Sequence, residues 1–81
     1  MEGTVRIHVN GEEKMWRSGA TVADLLRELD IRTERVAVEL NLEILDRAVF
    51  AHRPLNEGDR VEIMSFIGGD HFKRVLWRTI A

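Results

Sequence analysis

Hydrophobic and polar residues alternate in three stretches of this chain, with the spacing of β-strands that bury one face. The three stretches are residues 5–9, 36–40 and 60–67. Asn10-Gly11 follows the first stretch directly. Because Asn-Gly accepts the positive φ angles of a type I′ turn, we predict a hairpin that returns along residues 12–17.

Between the first and second of these stretches, apolar residues repeat at helical spacing, which predicts one helix. Thr21 stands three residues before Asp24, which is the spacing of a capping box at a helix start. The apolar residues that follow lie at i, i+3, i+4 and i+7, which places them on one face: Val22, Leu25, Leu26 and Leu29. Residues 45–57 have no sustained period, and we expect a connection with a short helical turn near residues 48–50. The resulting order predicts an α+β fold of two layers, with one main helix on one face of a small mixed sheet of four to five strands.

Composition restricts the classes of protein that this chain can belong to. Its 81 residues are enough for one small domain, and 44% hydrophobic with 32% charged residues is typical of a folded chain. The absence of cysteine excludes disulfides, thiolate metal sites and a cysteine nucleophile, so sulfur chemistry would need a partner's cysteine. No apolar run has the length of a membrane span, and the first residues lack the features of a signal peptide. We therefore expect a cytoplasmic protein without a membrane partner.

Charge and histidine placement argue against nucleic-acid and metal binding. The net charge is −2, and the two parts of the chain differ in sign: residues 1–69, the body, are acidic, and residues 70–81, the tail, are basic. An acidic body does not favour nucleic acid and suits a basic docking surface on a protein partner. His8, His52 and His71 are far apart and lack the spacing of metal ligands, so we predict no metal site.

The glycine pair Gly68-Gly69, directly after the last predicted strand, is the strongest functional signal. Glycines at the end of a small domain indicate a chain that works through its terminal carboxyl group, because residues without Cβ can thread into a narrow site. Here that carboxyl is bound in a peptide to Asp70. The alternative is a glycine pair in an ordinary loop. Phe66 and Ile67 precede the pair. Two roles are possible for them: packing as part of the strand, and contact with an enzyme that activates the chain end.

Five motifs occur in one order along the chain: Val9-Asn10-Gly11, residues 21–26, residues 35–39, residues 57–63 and residues 66–69. Together they resemble the ThiS family, the sulfur carrier proteins of thiamin biosynthesis, over nearly all of residues 5–69. The resemblance implies a ubiquitin-like β-grasp domain over residues 1–69, with the first and last strands parallel at the centre of the sheet. The molybdopterin carrier MoaD and ubiquitin-like modifiers share the fold and the glycine pair, and the Val-Asn-Gly hairpin favours the thiamin type.

The resemblance also implies a chemistry for the chain end. A ThiF-like E1 adenylyltransferase would use ATP and magnesium to join the Gly69 carboxylate to AMP. A sulfur donor with a persulfide cysteine would then yield a thiocarboxylate, which passes sulfur to a ThiG-like thiazole synthase. The chain would be a protein co-substrate and not an enzyme. It would bind no cofactor itself, act as a monomer, and present Phe66, Ile67, Gly68 and Gly69 to its partners.

The chain departs from the family pattern at Leu42, where the family often has glycine, and after Gly69, where the family ordinarily ends. Since some relatives are made as precursors, we predict that a processing protease removes residues 70–81. Two alternatives stay open: a β-grasp binding module that uses its tail to hold a partner or to dimerise, and a carrier for another pathway such as molybdopterin. Within the tail, apolar residues at helical spacing predict a short amphipathic helix: Phe72, Val75, Leu76 and Thr79.

Overall fold

The elements that the hydrophobic pattern predicts are present in a computed structural model of the chain, which describes residues 3–67 and 71–74. Within these ranges there are six strands and one α-helix: β1 (Thr4–Val9), β2 (Glu12–Arg17), α1 (Val22–Glu28), β3 (Val36–Leu40), β4 (Glu43–Ile44), β5 (Arg60–Ile67) and β6 (His71–Arg74). Single turns of 3₁₀-helix occur at Thr33–Arg35 and Arg47–Val49. The second of these lies where a short helical turn was predicted. No helix in the described ranges is long and apolar enough to cross a membrane.

The sheet has the strand order β2-β1-β5-β3-β4, with β6 paired to β5 outside this path. Strands β1 and β5 are parallel neighbours at the centre, with Val9 opposite Val61. The other pairs, β1 with β2, β3 with β4 and β3 with β5, are antiparallel. This mixed sheet with its single helix confirms the α+β, β-grasp expectation.

Helix α1 begins and packs as its sequence predicts. The Thr21 hydroxyl accepts a hydrogen bond from the Asp24 amide at 3.1 Å, and the Asp24 carboxylate accepts one from the Thr21 amide at 3.0 Å. The Thr21 amide is the main reason that the pKa of Asp24 lies below its ordinary value. The buried face of α1 covers the central strands, and the core contains these residues: Ile7, Val9, Ala20, Val22, Leu25, Leu26, Val36, Val38, Leu40, Phe50, Leu55, Val61 and Ile63.

The β1–β2 hairpin has the turn that Asn-Gly predicts, since Asn10 and Gly11 both have positive φ, at 49° and 86°. Two adjacent residues on β2 point to opposite faces of the sheet. Trp16 is the half-buried one and packs against the core, whereas Met15 is 55% exposed.

The helix predicted in the tail is wrong for residues 71–74, which form strand β6 and pair antiparallel with β5. A tail of twelve residues is marginal as an isolated helix in water, because the first helical turn costs more conformational entropy than one hydrogen bond returns. The end of β5, in contrast, offers backbone groups that need partners. The remainder of the predicted helix, residues 75–81, lies outside the described residues.

Candidate functional site

The C-terminal end of β5 is the candidate site, because the glycine pair follows it in the sequence. Phe66 and Ile67 are the last two residues of this strand. Gly68 and Gly69 lie outside the described residues, so their role as the reactive end stays a prediction. The structure does describe how the strand that leads to them is held.

The start of β5 is held by a buried carboxylate and an asparagine. Asp59 is only 6% exposed, and its carboxylate accepts hydrogen bonds from the Asn56 amide at 2.8 Å and from Asn41 Nδ2 at 3.0 Å. The guanidinium of Arg53 lies 3.4 Å from the same carboxylate. Asn41 Oδ1 in turn accepts from the Arg60 amide at 2.9 Å. These bonds tie the turn between β3 and β4 to the first residue of β5.

The middle of β5 is held by Asn10, from the opposite edge. Asn10 Oδ1 accepts a hydrogen bond from the Ile63 amide at 2.7 Å, and Asn10 Nδ2 donates to the Ile63 carbonyl at 3.2 Å. The Asn10 amide also donates to the Val61 carbonyl at 2.8 Å. The Asn10 side chain therefore bonds to the backbone of β5 in the way that a further residue of β1 would.

Asn10 and Asn41 form a matched pair, which we call the asparagine clamps. Each has positive φ, 49° and 53°, and each opens the turn of a hairpin that flanks β5. Asparagine accepts this conformation more readily than most residues, and its amide can bond to backbone groups in both directions. The sequence indicates a turn at Asn10-Gly11, but it does not show that either asparagine contacts β5. The signal that could have revealed them is that asparagine opens the turn in both hairpins.

Strand β6 continues the edge of β5 on which Asn10 lies. The backbone groups of Val61 and Ile63 face β1 and Asn10, and alternation along a strand turns those of Ser65 and Ile67 to the same edge. In the β5–β6 register, Lys73 is opposite Ser65 and His71 is opposite Ile67. One edge of β5 is thus covered in succession by β1, the Asn10 side chain and β6.

The sheet face opposite α1 mixes apolar and charged groups. Met15 and Ile44 are 55% and 67% exposed on this face, and an ion pair of 2.9 Å joins Arg6 to Glu13. An open depression of about 330 Å³ exists elsewhere, at the C-terminal end of α1, and none of the predicted site residues lines it. No group of three or more side chains within the described ranges could hold a metal ion. The end of β5 is thus a strand that β3 pairs as far as Ser65 and β6 as far as Ile67, and it contains no metal centre within the described residues.

Comparison with known proteins agrees with this arrangement. The model of the ThiS family matches residues 3–69, so the matched region ends at the second glycine. A thiazole synthase from Paramagnetospirillum magneticum is 43% identical over 65 residues, which are 80% of this chain and 20% of that protein. The chain therefore spans about a fifth of the length of this relative.

Two relatives match along nearly their whole length. The sulfur carrier protein ThiS of Bacillus subtilis is 31% identical over 64 residues, which cover 78% of this chain and 97% of the relative. The crystal structure of a thiamine biosynthesis protein, ThiS from Geobacter metallireducens, superposes with a TM-score of 0.72 at 35% identity, over 80% of this chain and 99% of that one. With a family match over most of its length and a relative covered almost completely, the chain belongs to the ThiS family.

Proposed function

We propose that this protein is a sulfur carrier of the thiamin type, whose reactive group is the carboxyl of Gly69 after residues 70–81 are removed. The observation that carries the proposal is the family match over residues 3–69, which ends at the second glycine. The hydrogen bonds that fix β5 support the proposal, because the glycine pair directly follows this strand in the sequence.

A free carboxylate is a poor electrophile, so the chain end needs activation by a partner. A ThiF-like E1 adenylyltransferase, using its own ATP and magnesium, converts the Gly69 carboxylate into an acyl adenylate with release of pyrophosphate. The terminal sulfur of a persulfide cysteine on the sulfur donor then attacks the acyl carbon and expels AMP. A thiol then attacks the cysteine sulfur of the resulting acyl disulfide, forms a disulfide with the donor's cysteine and releases the thiocarboxylate. The chain is a recycled co-substrate in this sequence and not an enzyme.

The acceptor that we propose for the sulfur is a thiazole synthase. The support is the relative named thiazole synthase in Paramagnetospirillum magneticum, which contains a segment similar to this chain. Because activation consumes ATP, we place the carrier in the cytoplasm. We also propose that it acts as a monomer, since its end must enter the active sites of other proteins.

Residues 70–81 have to be removed before this chemistry, because an internal glycine has no carboxylate to adenylate. A processing protease that cuts between Gly69 and Asp70 would supply the reactive end. The domain that remains contains the five strands of the main sheet path and α1.

The test compares three forms of the protein: residues 1–81, residues 1–69, and residues 1–69 with Gly69→Val. Each is incubated with a ThiF-like enzyme, ATP, magnesium and a persulfide donor, and is then weighed by mass spectrometry. We expect only the unchanged 1–69 form to gain the mass of an oxygen-to-sulfur exchange. The Gly69→Val form should fold normally, because the substitution lies beyond β5, but its Cβ branch should block threading.

Two results would contradict the proposal. If the 1–69 form never gains sulfur, the chain is not a carrier of this type. If Gly69→Val gains sulfur as well as the unchanged form, the argument from threading is wrong. Circular dichroism of all three forms establishes that a negative result does not come from unfolding.

One observation favours a second candidate, a β-grasp binding module that keeps its tail. Strand β6 belongs to that tail and is paired with β5, so part of the tail is built into the sheet. A module of this kind would use the attached tail to hold a partner. The intact mass of the protein from its native host separates the two candidates: a chain that ends at Gly69 supports the carrier, and one that ends at Ala81 supports the module.

A further inference from the structure

Strand β2 is the long outer edge of the sheet. It ends the strand path and, among the described strands, pairs only with β1, whereas β4 at the other end has only two residues. The β2 sequence contains no proline or glycine that would interrupt pairing. An edge of this kind presents unpaired backbone groups to another strand. We propose that β2 pairs antiparallel with β2 of a second copy of this chain, so that the two sheets become continuous.

The backbone groups that β2 turns outward follow from the bonds of β1. The His8 amide donates to the Asp59 carbonyl at 2.9 Å, on the β5 side of β1. Alternation turns the backbone groups of the neighbouring Ile7 toward β2, where Ile7 is opposite Lys14. Every second residue of β2, counted from Lys14, therefore bonds to β1, and the residues between them face outward. The outward amides and carbonyls belong to Glu13, Met15 and Arg17.

One register uses all of these outward groups. With a two-fold axis at Met15, this residue is opposite Met15 of the second copy, and Glu13 of each copy is opposite Arg17 of the other. Each of the three residue pairs exchanges two backbone hydrogen bonds, so the register supplies about six. An axis at Lys14 would leave about four bonds and place two lysines directly opposite each other. The register at Met15 is therefore the favoured one.

The charges of β2 are complementary in this register. Glu13 and Arg17 lie on the face opposite α1, and both side chains are more than half exposed. Within one chain, Glu13 pairs with Arg6 at 2.9 Å and Arg17 pairs with Glu28 at 2.5 Å. Because ion pairs between exposed side chains are weak, these contacts do not prevent either residue from facing its new partner. Each seam thus gains two opposite-charge pairs, one at each end.

The centre of the seam supplies apolar contact. Met15 is 55% exposed in the single chain, and the two-fold axis brings two Met15 side chains together. On the face that carries α1, Lys14 is opposite Trp16 of the second copy, and Trp16 is half-buried. A lysine ammonium near an indole ring is a favourable pair. A strand of uniform charge would match β2 less well, so the occupant that fits this edge is a second copy.

The pairing leaves β5 out of the seam, because β1 lies between β2 and β5. The paired form is therefore a reserve, and dilution releases the monomer that we propose as the acting form. An interface of one strand per copy is small and typical of weak association. We expect a Kd on the order of 0.1 mM. The inference does not depend on the chemistry of the chain end.

The first measurement is sedimentation velocity of the full-length chain. At the expected Kd, about four fifths of the chains are paired at about 1 mM and about one seventh at about 0.01 mM. Met15→Pro removes an outward amide at the centre of the seam and keeps the bonds to β1, so it should stay monomeric at both concentrations. The matched control is Ile44→Pro at the other edge, since the neighbouring Leu45 amide donates to the Val38 carbonyl and the Ile44 amide faces outward. It should associate like the unchanged chain.

A charge exchange tests the register. Glu13→Arg places two arginines opposite each other at both ends of the seam and should abolish the pairing. Adding Arg17→Glu to this variant restores opposite charges and should restore association. A double variant that stays as monomeric as Glu13→Arg would refute the register. An unchanged chain that is monomeric at about 1 mM, or association that Met15→Pro leaves intact, would overturn the proposal.

Amide hydrogen exchange by NMR in the unchanged chain provides a readout that needs no variant. The amides of Glu13, Met15 and Arg17 should exchange about four times more slowly at 1 mM than at 0.01 mM, because pairing covers them. The Lys14 and Trp16 amides bond to β1 and should not respond to concentration. Equal rates for the outward amides at both concentrations would contradict the pairing. None of these measurements uses an activating enzyme, so failure of the trimmed chain to gain sulfur would contradict the proposed function alone.

Discussion

Replacing Asn10 by glycine tests whether the asparagine clamp holds β5. Glycine accepts the positive φ of this position without strain, so the variant removes the side-chain hydrogen bonds and leaves the turn conformation available. Two of the bonds that disappear join Asn10 to the amide and the carbonyl of Ile63, at 2.7 and 3.2 Å. Both of these groups belong to a residue that is fully buried.

The loss of stability follows from those two groups. A buried backbone group without a partner costs about 1 to 3 kcal/mol, and water can enter the space that the side chain vacates and recover part of this. We therefore expect Asn10→Gly to lower the free energy of unfolding by about 2 to 3 kcal/mol. A domain of this size has on the order of 4 to 12 kcal/mol in total, so the effect is large. Asn10→Ala should cost about 1 kcal/mol more, because alanine is strained at positive φ.

The assay is urea unfolding followed by far-UV circular dichroism, with the slope of the transition fitted for each variant. At a slope of about 1 kcal/mol per molar urea, the midpoint of Asn10→Gly should fall by about 2 M. Asp30→Gly is the control: Asp30 also has positive φ, 64°, and is exposed, and no described residue bonds to its side chain. It should change stability by less than about 0.5 kcal/mol. An Asn10→Gly variant as stable as this control would refute the clamp.

Two further predictions concern the turn after β3 and the start of α1. Leu42 has a φ of 74° and is 86% exposed, so Leu42→Gly relieves backbone strain without losing buried apolar surface. In the same urea assay, Leu42→Gly should raise the free energy of unfolding by about 1 kcal/mol. Leu42→Ala should leave it nearly unchanged, because alanine keeps the strain at positive φ. Asp24 has a lowered pKa, chiefly because its carboxylate accepts a hydrogen bond from the Thr21 amide. Its contribution to stability is therefore present above the pKa of the unfolded chain, about 4, and is lost as pH falls through the lower folded pKa. Unfolding midpoints between pH 6 and 2, in steps of about one unit, should fall less steeply for Asp24→Asn than for the unchanged chain.

The elements that are specified locally could be predicted from the sequence. Alternation sets the faces of β1, β3 and β5, and the hydrogen bonds of the capping box join residues only three positions apart. The Asn10-Gly11 turn is specified by two adjacent residues in the same way. Once the helix and the strands are known, the short connections leave few ways to arrange one helix on a small sheet.

The contacts that hold the candidate site are not local, and for this reason the sequence did not reveal them. Asn10 and Ile63 are 53 positions apart, so the turn signal at Asn10 contains no information about its partner. Residues 71–74 begin a stretch with apolar residues at helical spacing, but they pair with an edge of β5 that exists only in the folded sheet. Whether a segment forms a helix or a strand is decided here by the backbone groups that are available to it.

The Asn10 clamp and strand β6 lie next to each other along β5, and amide hydrogen exchange should separate their effects. Ile63 is held by Asn10 on one edge and by β3 on the other, where it is opposite Val38. The form that contains residues 1–69 lacks β6, so its Ser65 amide should exchange faster than in the full chain while its Ile63 amide stays protected. Asn10→Gly in the full chain should instead speed exchange of the Ile63 amide, because this variant removes the oxygen that accepts from it. If the 1–69 form exposes the Ile63 amide as strongly as Asn10→Gly does, the end of β5 opens as one unit, and Asn10 does not hold Ile63 independently of β6.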